Sequence, residues 1–353
     1  MKRFLVGLLF LISVGIVRAQ ISSCAQTLRL AQSTYEQGRL HELPTLLEAC
    51  LKNTGADGFT KDQKVRAYTL LTLAYIYLEE PEKADETMLN LLRTDSYFKP
   101  NPDVDPAEFI GLYNTFRTRP VYRFGVKFGA NASQPNVSSF NPIGDGKAKY
   151  AYKIGFSGGF VGELPVNDKL TLSAELLYLQ RTFTNTSSSF LKDTTYSASV
   201  GTESQSWLSL PIMVQYQFFK AKKMETKKIL PFLEGGISTD LLLGSKMQPT
   251  QTRKRNQSID VRSFPLDVQR QKINVSVMLG AGLKTRLAGG YLIVDARYSY
   301  GILKNNNTAT LYNNQSLLFD YKITDGIFSL NSLYFSVGYV QNFFTPIKLK
   351  RKK

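Results

Sequence analysis

The sequence predicts an α+β multidomain protein, in which an all-α N-terminal module precedes an eight-stranded antiparallel transmembrane β-barrel. Between about residues 122 and 344, eight stretches alternate apolar and polar residues, and the connections between them alternate between short and long. Residues 20–120 show helical periodicity instead. Because successive side chains of a strand point to opposite faces, eight such stretches with this loop rhythm are typical of a closed barrel in a lipid bilayer.

Residues 1–19 have the features of a secretory signal peptide. Lys2 and Arg3 precede an apolar run over residues 4–17, and Ala19 offers a small residue at the cleavage position. The run is short for a membrane helix, and no other segment has the roughly 18 consecutive apolar residues that such a helix needs. A lipoprotein anchor at Cys24 is the alternative. The sequence therefore predicts an exported chain that is not retained at the inner membrane.

The formal net charge is +16, and Lys2, Arg3 and Arg18 at the N-terminus contribute three of these charges. A basic balance can indicate nucleic-acid binding, but an exported barrel meets lipid phosphates and acidic polysaccharide first. We therefore expect outer-membrane lipids, including lipopolysaccharide, as partners of the barrel, and no nucleic acid. The triplet Arg253-Lys254-Arg255, in a predicted long outer loop, would suit lipopolysaccharide phosphates.

The N-terminal module, residues 20–120, is predicted to contain five helices. Gly38 separates the first two helices, and Glu80-Pro81 separates the next two. Asp105 and Pro106 are typical of a helix start, with Asp as the N-cap and Pro in the first turn. The predicted helices span residues 24–37, 40–52, 60–79, 82–92 and 105–117.

Cys24 and Cys50 are the two cysteines of the chain. They lie at the start of one predicted helix and near the end of the next, which an antiparallel hairpin brings side by side. In an oxidising compartment this arrangement predicts a disulfide. A redox or metal pair is the alternative, but the spacing is not Cys-x-x-Cys and the only nearby histidine is His41.

The barrel, residues 121–344, is predicted to have both termini on one side, because the number of strands is even. That side would be the periplasm and would hold the helical module, with residues 345–353 as a basic C-terminal tail. Residues 135–149, 185–202, 246–268 and 305–328 would form the long outer loops. The predicted strands span residues 122–134, 150–164, 169–184, 203–219, 229–245, 269–286, 291–304 and 329–344.

Charged residues on the inward face of these strands are the first candidate site. An eight-stranded barrel is just wide enough for side chains to fill it, and buried charges must be paired. We expect a lumen filled by ion pairs; a gated polar path for a small solute and a water-filled but closed lumen are the alternatives. The predicted lumen residues are Lys127, Lys153, Glu163, Glu175, Glu234, Lys284, Asp295 and Arg297.

Catalytic, cofactor and metal sites are not predicted. The single histidine, His41, lies in the helical module, so none is available as a general base in the barrel. No His/Cys cluster or calcium-loop pattern is present in the sequence. The sequence therefore favours a protein that is not an enzyme.

Basic residues gathered at the short-turn side are the second candidate site. They are either solvated charges beside anionic headgroups or a docking face for an acidic periplasmic partner. The junction, one short connection and the C-terminus contribute Arg117, Arg119, Arg123, Lys220, Lys222, Lys223, Lys227, Lys228, Lys348, Lys350, Arg351, Lys352 and Lys353.

Two resemblances refine these expectations. Ala74 and Tyr77 on the third helix, followed by Ala84, Met88 and Leu91 on the fourth, resemble a tetratricopeptide repeat, and a plain helical bundle is the alternative. The segments Tyr122-Arg-Phe-Gly-Val-Lys-Phe-Gly129, Leu208-Ser-Leu-Pro-Ile212, Pro231-Phe-Leu-Glu-Gly-Gly236 and Asp295-Ala-Arg-Tyr-Ser-Tyr-Gly301 resemble the PorT-like outer-membrane barrel family of Bacteroidetes.

The PorT-like resemblance implies an outer-membrane barrel and, through the founding member of that family, an accessory role in type IX secretion. Together with the helical module it predicts an outer-membrane barrel that anchors a periplasmic protein-binding module, as a scaffold or accessory of an envelope assembly or secretion machinery. A small-solute pore or transporter is the first alternative. A structural envelope protein without a dedicated partner is the second.

Overall fold

A computed structural model describes residues 23–55, 57–140, 148–187, 196–219, 229–253, 262–287 and 289–349. The predicted signal peptide lies outside these residues. The chain divides into two compact units. One unit is Pro120–Phe343, and the other combines Met1–Arg119 with Phe344–Lys353. The C-terminal segment thus belongs to the helical unit.

The helical unit has five α-helices and one 3-10 turn within the described residues. The α-helices are α1 Ser23–Glu36, α2 Leu43–Lys52, α3 Lys61–Tyr77, α4 Pro81–Thr94 and α5 Ala107–Tyr113; the 3-10 turn is Leu40–Glu42. Thr60 and Gln63 form a capping box that starts α3, since each side chain accepts a hydrogen bond from the other's backbone N–H. The predicted start of the fifth helix at Asp105 is wrong, because Pro106 has extended backbone angles and is itself the N-cap of α5.

The core of the helical unit is built from small and aliphatic side chains. Leu43, Leu47 and Ala74 are completely buried in one cluster, and Met88 and Leu91 in a neighbouring one. Cys24 and Cys50 lie in the first cluster and form the predicted disulfide, with Cα atoms 5.6 Å apart. No helix among the described residues is long and apolar enough to cross a membrane.

The C-terminal segment joins the helical unit through backbone hydrogen bonds. The Arg117 N–H donates to the Ile347 carbonyl (2.9 Å), and the Leu349 N–H donates to the Thr115 carbonyl (2.8 Å). Lys348 forms an ion pair with Asp85 on α4. The predicted tail therefore begins as an ordered strand-like segment of this unit.

The second unit is a closed antiparallel barrel of eight strands with one short additional strand. Each long strand pairs with its neighbour in sequence, and β1 pairs with β9 to close the wall; the two-residue β6 adds to the edge of β5. The strands are β1 Tyr122–Phe140, β2 Lys149–Pro165, β3 Leu170–Ser187, β4 Tyr196–Gln217, β5 Ile229–Arg253, β6 Phe264–Pro265, β7 Ile273–Leu287, β8 Gly290–Gly301 and β9 Gly326–Phe343.

Most strands continue beyond their predicted ends into the long loops. β4 begins at Tyr196, β5 ends at Arg253 and β9 begins at Gly326, because pairing persists where the outward side chains have become polar. The predicted sixth strand is too long, since residues 269–272 belong to the loop and β7 begins at Ile273. The last long loop carries the short helix α6, Gln315–Phe319.

The outward face of the wall is apolar over most of the strand length. On β5 the exposed residues Ile229, Leu233, Ile237, Leu241 and Leu243 follow one another, and Lys246 is the first charged residue beyond them. The inward face of the same strand carries Glu234, Ser238 and Asp240, all buried. Apolar side chains on the outer face and charged side chains on the inner face are typical of a barrel surrounded by lipid.

Candidate functional site

The interior of the barrel is the candidate site, and its charges form four layers between the short-turn end and the long-loop end. The first layer is centred on Glu163. Its carboxylate contacts Arg123 at 3.0 Å and Lys284 at 2.6 Å, and Lys284 also donates to Gln215 Oε1 at 2.7 Å. A cluster of inward apolar side chains packs around this layer. It includes Ile293, which pairs with Lys284, and Phe232, whose ring centroid lies 5.2 Å from the Lys284 ammonium.

The second layer is centred on Arg297 of β8. Its guanidinium makes two parallel hydrogen bonds to Glu175, both 2.7 Å, and contacts Glu234 at 2.6 Å. Lys127 contacts Glu175 at 3.0 Å and Asp295 at 2.6 Å. Bidentate contacts of this kind are the strongest arginine–carboxylate arrangement.

The first two layers form one continuous network. Gln215 accepts from Lys284 and donates to Glu234 Oε2 at 3.2 Å, so it joins the two layers. Together the layers contain four basic residues and four carboxylates, so their charges cancel. The basic residues are Arg123, Lys127, Lys284 and Arg297, and the carboxylates are Glu163, Glu175, Glu234 and Asp295.

The third layer is an ion pair between Arg181 of β3 and Asp240 of β5, 2.7 Å apart. Ser209 and Ser238 each donate to Asp240 Oδ1 at 2.6 Å. Among the described residues, Arg181 Nε and Nη1 have no hydrogen-bond partner. Arg181 lines a cavity of about 20 Å³, which is large enough for a single water molecule.

The fourth layer closes the long-loop end. Arg270 makes two hydrogen bonds to Glu203, 2.7 and 2.5 Å, and contacts Asp325 at 2.6 Å. Tyr150 donates to Asp325 Oδ1 at 2.7 Å. Burial raises the pKa of the Asp325 carboxyl, which lies in the loop before β9, and the charge of Glu203 adds to this effect while Arg270 opposes it.

Apolar side chains from the end of β5, from β6 and from the long loops pack beside this fourth layer. Met247, Phe264, Leu266, Leu317 and Ile323 form one buried cluster. The Arg270 guanidinium lies 5.3 Å from the ring centroid of Phe328. The long-loop end of the lumen is therefore filled by both charged and apolar side chains.

The structure places seven of the eight predicted lumen residues in the first two layers, and Lys153 is the exception. A bulge between Lys153 and Ser157 adds one residue to β2, so Lys153 pairs with outward-facing Thr182. It is exposed, and its ammonium lies 3.3 Å from Thr202 Oγ1 on the outer face. The prediction that Lys153 points inward is therefore wrong.

Arg123 was predicted on the basic face but is buried in the lumen. It lies on the inward face of β1, four residues before Lys127, and its guanidinium lies 4.9 Å from the ring centroid of Tyr291. Four further charged residues, which were not predicted to lie in the lumen, are buried there: Arg181, Glu203, Asp240 and Arg270. Arg181 and Asp240 lie six residues after Glu175 and Glu234, respectively, so strand alternation could have identified both.

The predicted basic face is described only in part. Arg117 donates to the Thr345 carbonyl at 2.9 Å, and Lys348 is paired with Asp85. Arg119 also has an interaction partner. The other predicted members, together with Lys254 and Arg255 of the outer-loop triplet, lie outside the described residues: Lys220, Lys222, Lys223, Lys227, Lys228, Lys350, Arg351, Lys352 and Lys353.

The described residues contain no group of three or more His, Cys, Asp or Glu side chains that could hold a metal ion. What the interior offers chemically is matched positive and negative charge. Each basic residue of the four layers contacts at least one carboxylate. Such an arrangement stabilises a closed lumen and leaves little room for a passing solute.

Solved structures with a similar fold include three bacterial membrane or surface proteins. Neisserial surface protein A is 14% identical, with 62% of this chain and 97% of that chain covered and a TM-score of 0.32. OprG from Pseudomonas aeruginosa is 10% identical, with coverages of 64% and 98% and a TM-score of 0.36. Ail, the attachment invasion locus protein of Yersinia pestis, is 12% identical, with coverages of 63% and 99% and a TM-score of 0.28.

No curated protein sequence matches this chain. The family model described as "Outer membrane protein beta-barrel domain" matches residues 119–307 of this chain. The matched segment begins just before β1, includes β8 and spans more than half of the chain. The closed wall, its apolar outer face and its charged interior agree with this match. The chain therefore belongs to the outer membrane protein beta-barrel domain family.

Proposed function

We propose that this protein is a closed outer-membrane anchor for a helical module that binds another protein. The observation that carries the proposal is the filled interior of the barrel. Four layers of paired charges, with apolar clusters at both ends, occupy the space that a pore would need. A barrel without a passage must act through its other surfaces or through the unit attached to it.

The helical unit is the part best suited to protein binding. In α3 and α4, Ala74, Ala84, Met88 and Leu91 are buried at the positions expected for a tetratricopeptide-like pair, whereas Tyr77 is half exposed. Repeats of this class form concave surfaces for peptides and helices. The basic and apolar pattern of residues 1–19 supports a signal peptide, and the even number of strands supports a place in the periplasm for this unit. The PorT-like resemblance favours a more specific role as an accessory of type IX secretion.

The filled lumen argues against the alternative of a small-solute pore, and current across planar bilayers tests it. The full-length protein should give no steady single-channel current under conditions in which a known porin does. We expect Arg297→Ala to remain closed as well, because the remaining layers still fill the lumen. A stable, ion-selective current from the unaltered protein would contradict the proposal.

Site-specific crosslinking tests the protein-binding role of the helical unit. A photoreactive amino acid at Tyr77, which is 50% exposed in the helical unit, is compared with one at Phe319, which is 61% exposed in a barrel loop. In native membranes we expect a discrete adduct of one mass from position 77 and none of that mass from position 319. If position 77 gives no adduct, and other exposed positions of α1–α4 give none either, an envelope protein without a dedicated partner becomes the better description.

A further inference from the structure

The barrel wall is interrupted at the long-loop end, next to β7 and β8. The β7–β8 ladder ends where the Ile302 N–H donates to the Val275 carbonyl (2.9 Å), and pairing resumes where the Gln271 N–H donates to the Asn305 carbonyl (2.8 Å). Between these two hydrogen bonds Lys272, Ile273, Leu303 and Lys304 are exposed, whereas Asn274 is buried. A cleft of about 970 Å³ lies at this interruption.

One side of the cleft is apolar. Val268, Ile273, Ile302 and Leu303 line it, and each is at least 41% exposed. Ile273 pairs with Leu241 of β5, which lies on the apolar outer face of the wall. The apolar lining is therefore continuous with the surface that faces the lipid.

The other side of the cleft is basic. Lys272 and Lys304 line it and are exposed, and neither forms an ion pair within the described part of the chain. The lining carboxylate, Asp267, accepts a hydrogen bond from the Ser245 backbone N–H at 2.7 Å. Arg270 also lines the cleft, but Glu203 and Asp325 neutralise it. Lys272 and Lys304 together outweigh the single negative charge of Asp267, so the lining is left with a net positive charge beside its apolar side.

The height of the cleft on the wall matches a membrane boundary. On the neighbouring strand β5, the exposed outward residues up to Leu243 are apolar except Thr239, and Lys246 is the first charged residue beyond them. Ile273 lies level with Leu241, and Lys272 precedes it at the edge of the apolar surface. Phosphate groups of lipids lie at this depth of a bilayer, where basic side chains attract them.

We propose that this cleft binds a membrane lipid with an anionic phosphate headgroup, and this goes beyond the proposed function, which requires no lipid site. One acyl chain lies against Ile273, Ile302 and Leu303, and the phosphate lies between Lys272 and Lys304. A neutral lipid would leave both lysines without a counterion. A soluble anion would leave the apolar lining in water.

The test compares spin-labelled phosphatidic acid with spin-labelled phosphatidylcholine bound to the full-length protein in phosphatidylcholine nanodiscs. We expect the unaltered protein to bind phosphatidic acid in preference to phosphatidylcholine. The double variant Lys272→Gln/Lys304→Gln should reduce this preference by about fivefold or more, because basic residues at the surface attract anionic lipid. Lys149→Gln with Lys246→Gln is the matched control: both lysines are exposed in barrel strands and neither lines the cleft. This control should retain most of the preference.

Two further measurements separate a lipid from a soluble anion. Leu303→Asn keeps every charge and should weaken the binding of phosphatidic acid, whereas glycerol 3-phosphate, which lacks the acyl chains, should not displace the lipid. The proposal is overturned if the unaltered protein shows no preference, if both double variants lose it equally, or if glycerol 3-phosphate displaces the lipid. Unchanged heat-modifiable gel mobility of each variant establishes that the barrel is folded.

Discussion

Arg297 is the residue on which the largest number of lumen carboxylates depends. It contacts Glu175, Glu234 and Asp295, the last at 3.3 Å, and all four side chains are almost inaccessible to solvent. A buried charge is tolerated only while its partners are present, and the loss of one partner leaves the others without compensation. The stability of the lumen should therefore depend more on this arginine than on any exposed basic residue.

Substitution of Arg297 by alanine tests this dependence. We expect Arg297→Ala to lower the free energy of unfolding by about 3 kcal/mol or more, because it leaves buried carboxylates without their partner. The exposed Arg286 on β7 is the matched control, and Arg286→Ala should change stability by less than about 0.5 kcal/mol. Urea unfolding in detergent micelles measures both. Equal effects of the two substitutions would contradict an ion-paired lumen.

If Arg297→Ala does not fold, a charge-balanced variant remains informative. Arg297→Met combined with Glu234→Gln removes one positive and one negative charge, so three basic residues and three carboxylates remain in the first two layers. This variant should recover part of the lost stability, because Lys127 still contacts Glu175 and Asp295 and no carboxylate of these layers is left without a cation. A variant as unstable as Arg297→Ala would indicate that packing, and not charge, is the cause.

Asp325 gives the loop over the lumen a pH dependence of predictable sign. Burial raises its pKa above the ordinary value of 3.8, so the folded loop holds this proton more tightly than the unfolded chain does. The loop should therefore become more stable as the pH falls through the folded pKa towards the unfolded value, and should lose this contribution as the pH rises through the folded pKa. Arg270, Glu203 and Tyr150 are the charged and titratable groups that face the carboxylate.

Hydrogen exchange of the loop amides 305–325 measures this effect, after correction for intrinsic exchange rates. Protection should increase from about pH 7 to about pH 4, and Asp325→Asn should remove the increase because the carboxamide does not titrate in this range. Glu203→Gln should destabilise the loop more than Asp325→Asn, since Glu203 makes both parallel hydrogen bonds to Arg270. The opposite pH trend in the unaltered protein would show that another group dominates.

Strand alternation predicts the face on which a residue lies only where the pairing between strands is regular. It places Glu163, Glu175, Glu234 and Arg297 in the lumen, and it would have placed Arg181 and Asp240 there too. It fails for Lys153, because a bulge shifts the face on which this residue lies. No apolar–polar pattern marks that bulge in the sequence, so only pairing with a neighbour reveals it.

At the scale of elements, bulges and close contacts between strands shape the wall. A bulge opposite Ser206–Trp207 changes the inward face of β5 from even to odd positions, so Asp240 and Ser245 both face inward. The predicted strand ends followed the apolar band and therefore stopped before the polar extensions of β4, β5 and β9. Hydrogen bonding between strands continues in water, where a hydrophobic pattern gives no signal.

The seam between β1 and β9 contains a close approach that tolerates only glycine. A Cβ atom at Gly125 would lie 1.8 Å from the Tyr339 carbonyl oxygen, whereas one at Gly162 on β2 would meet nothing closer than 3.8 Å. We expect Gly125→Ala to destabilise the barrel by about 1–3 kcal/mol through displaced backbone, and Gly162→Ala to have little effect. Heat-modifiable gel mobility and denaturant midpoints compare the two. A tolerated Gly125→Ala would mean that the seam can widen.

At the scale of the whole molecule, two units with different sources of stability share one chain. The helical unit has an apolar core and one disulfide, which closes a loop with a sequence separation of 26 residues. The barrel depends on strand pairing and buried ion pairs. The sequence predicted both units because their periodicities differ, whereas the assignment of residues 344–349 to the helical unit depends on backbone pairing that no side-chain pattern reveals.

Removal of the disulfide should therefore affect only one unit. Cys24→Ala with Cys50→Ala should destabilise the helical unit by about 3 kcal/mol on the chain-entropy model. The heat-modifiable mobility of the barrel should not change. Limited proteolysis of the folded protein reports cleavage within residues 23–119, with the unaltered protein under non-reducing conditions as the control. If the barrel loses its heat resistance as well, the two units are not energetically independent.

The paired charges of the lumen also constrain the way in which the barrel is assembled. Glu175 and Arg297 are 122 residues apart in sequence, and Lys284 and Glu163 are 121 apart. A partly formed, flat sheet of β1–β5 would expose Lys127, Glu163 and Glu234 without the basic and acidic partners that β7 and β8 supply later. Hydrocarbon does not tolerate such groups, so the early strands should remain outside the membrane interior until the last strands arrive. We therefore expect the sheet to close into a barrel and to enter the bilayer in a single step.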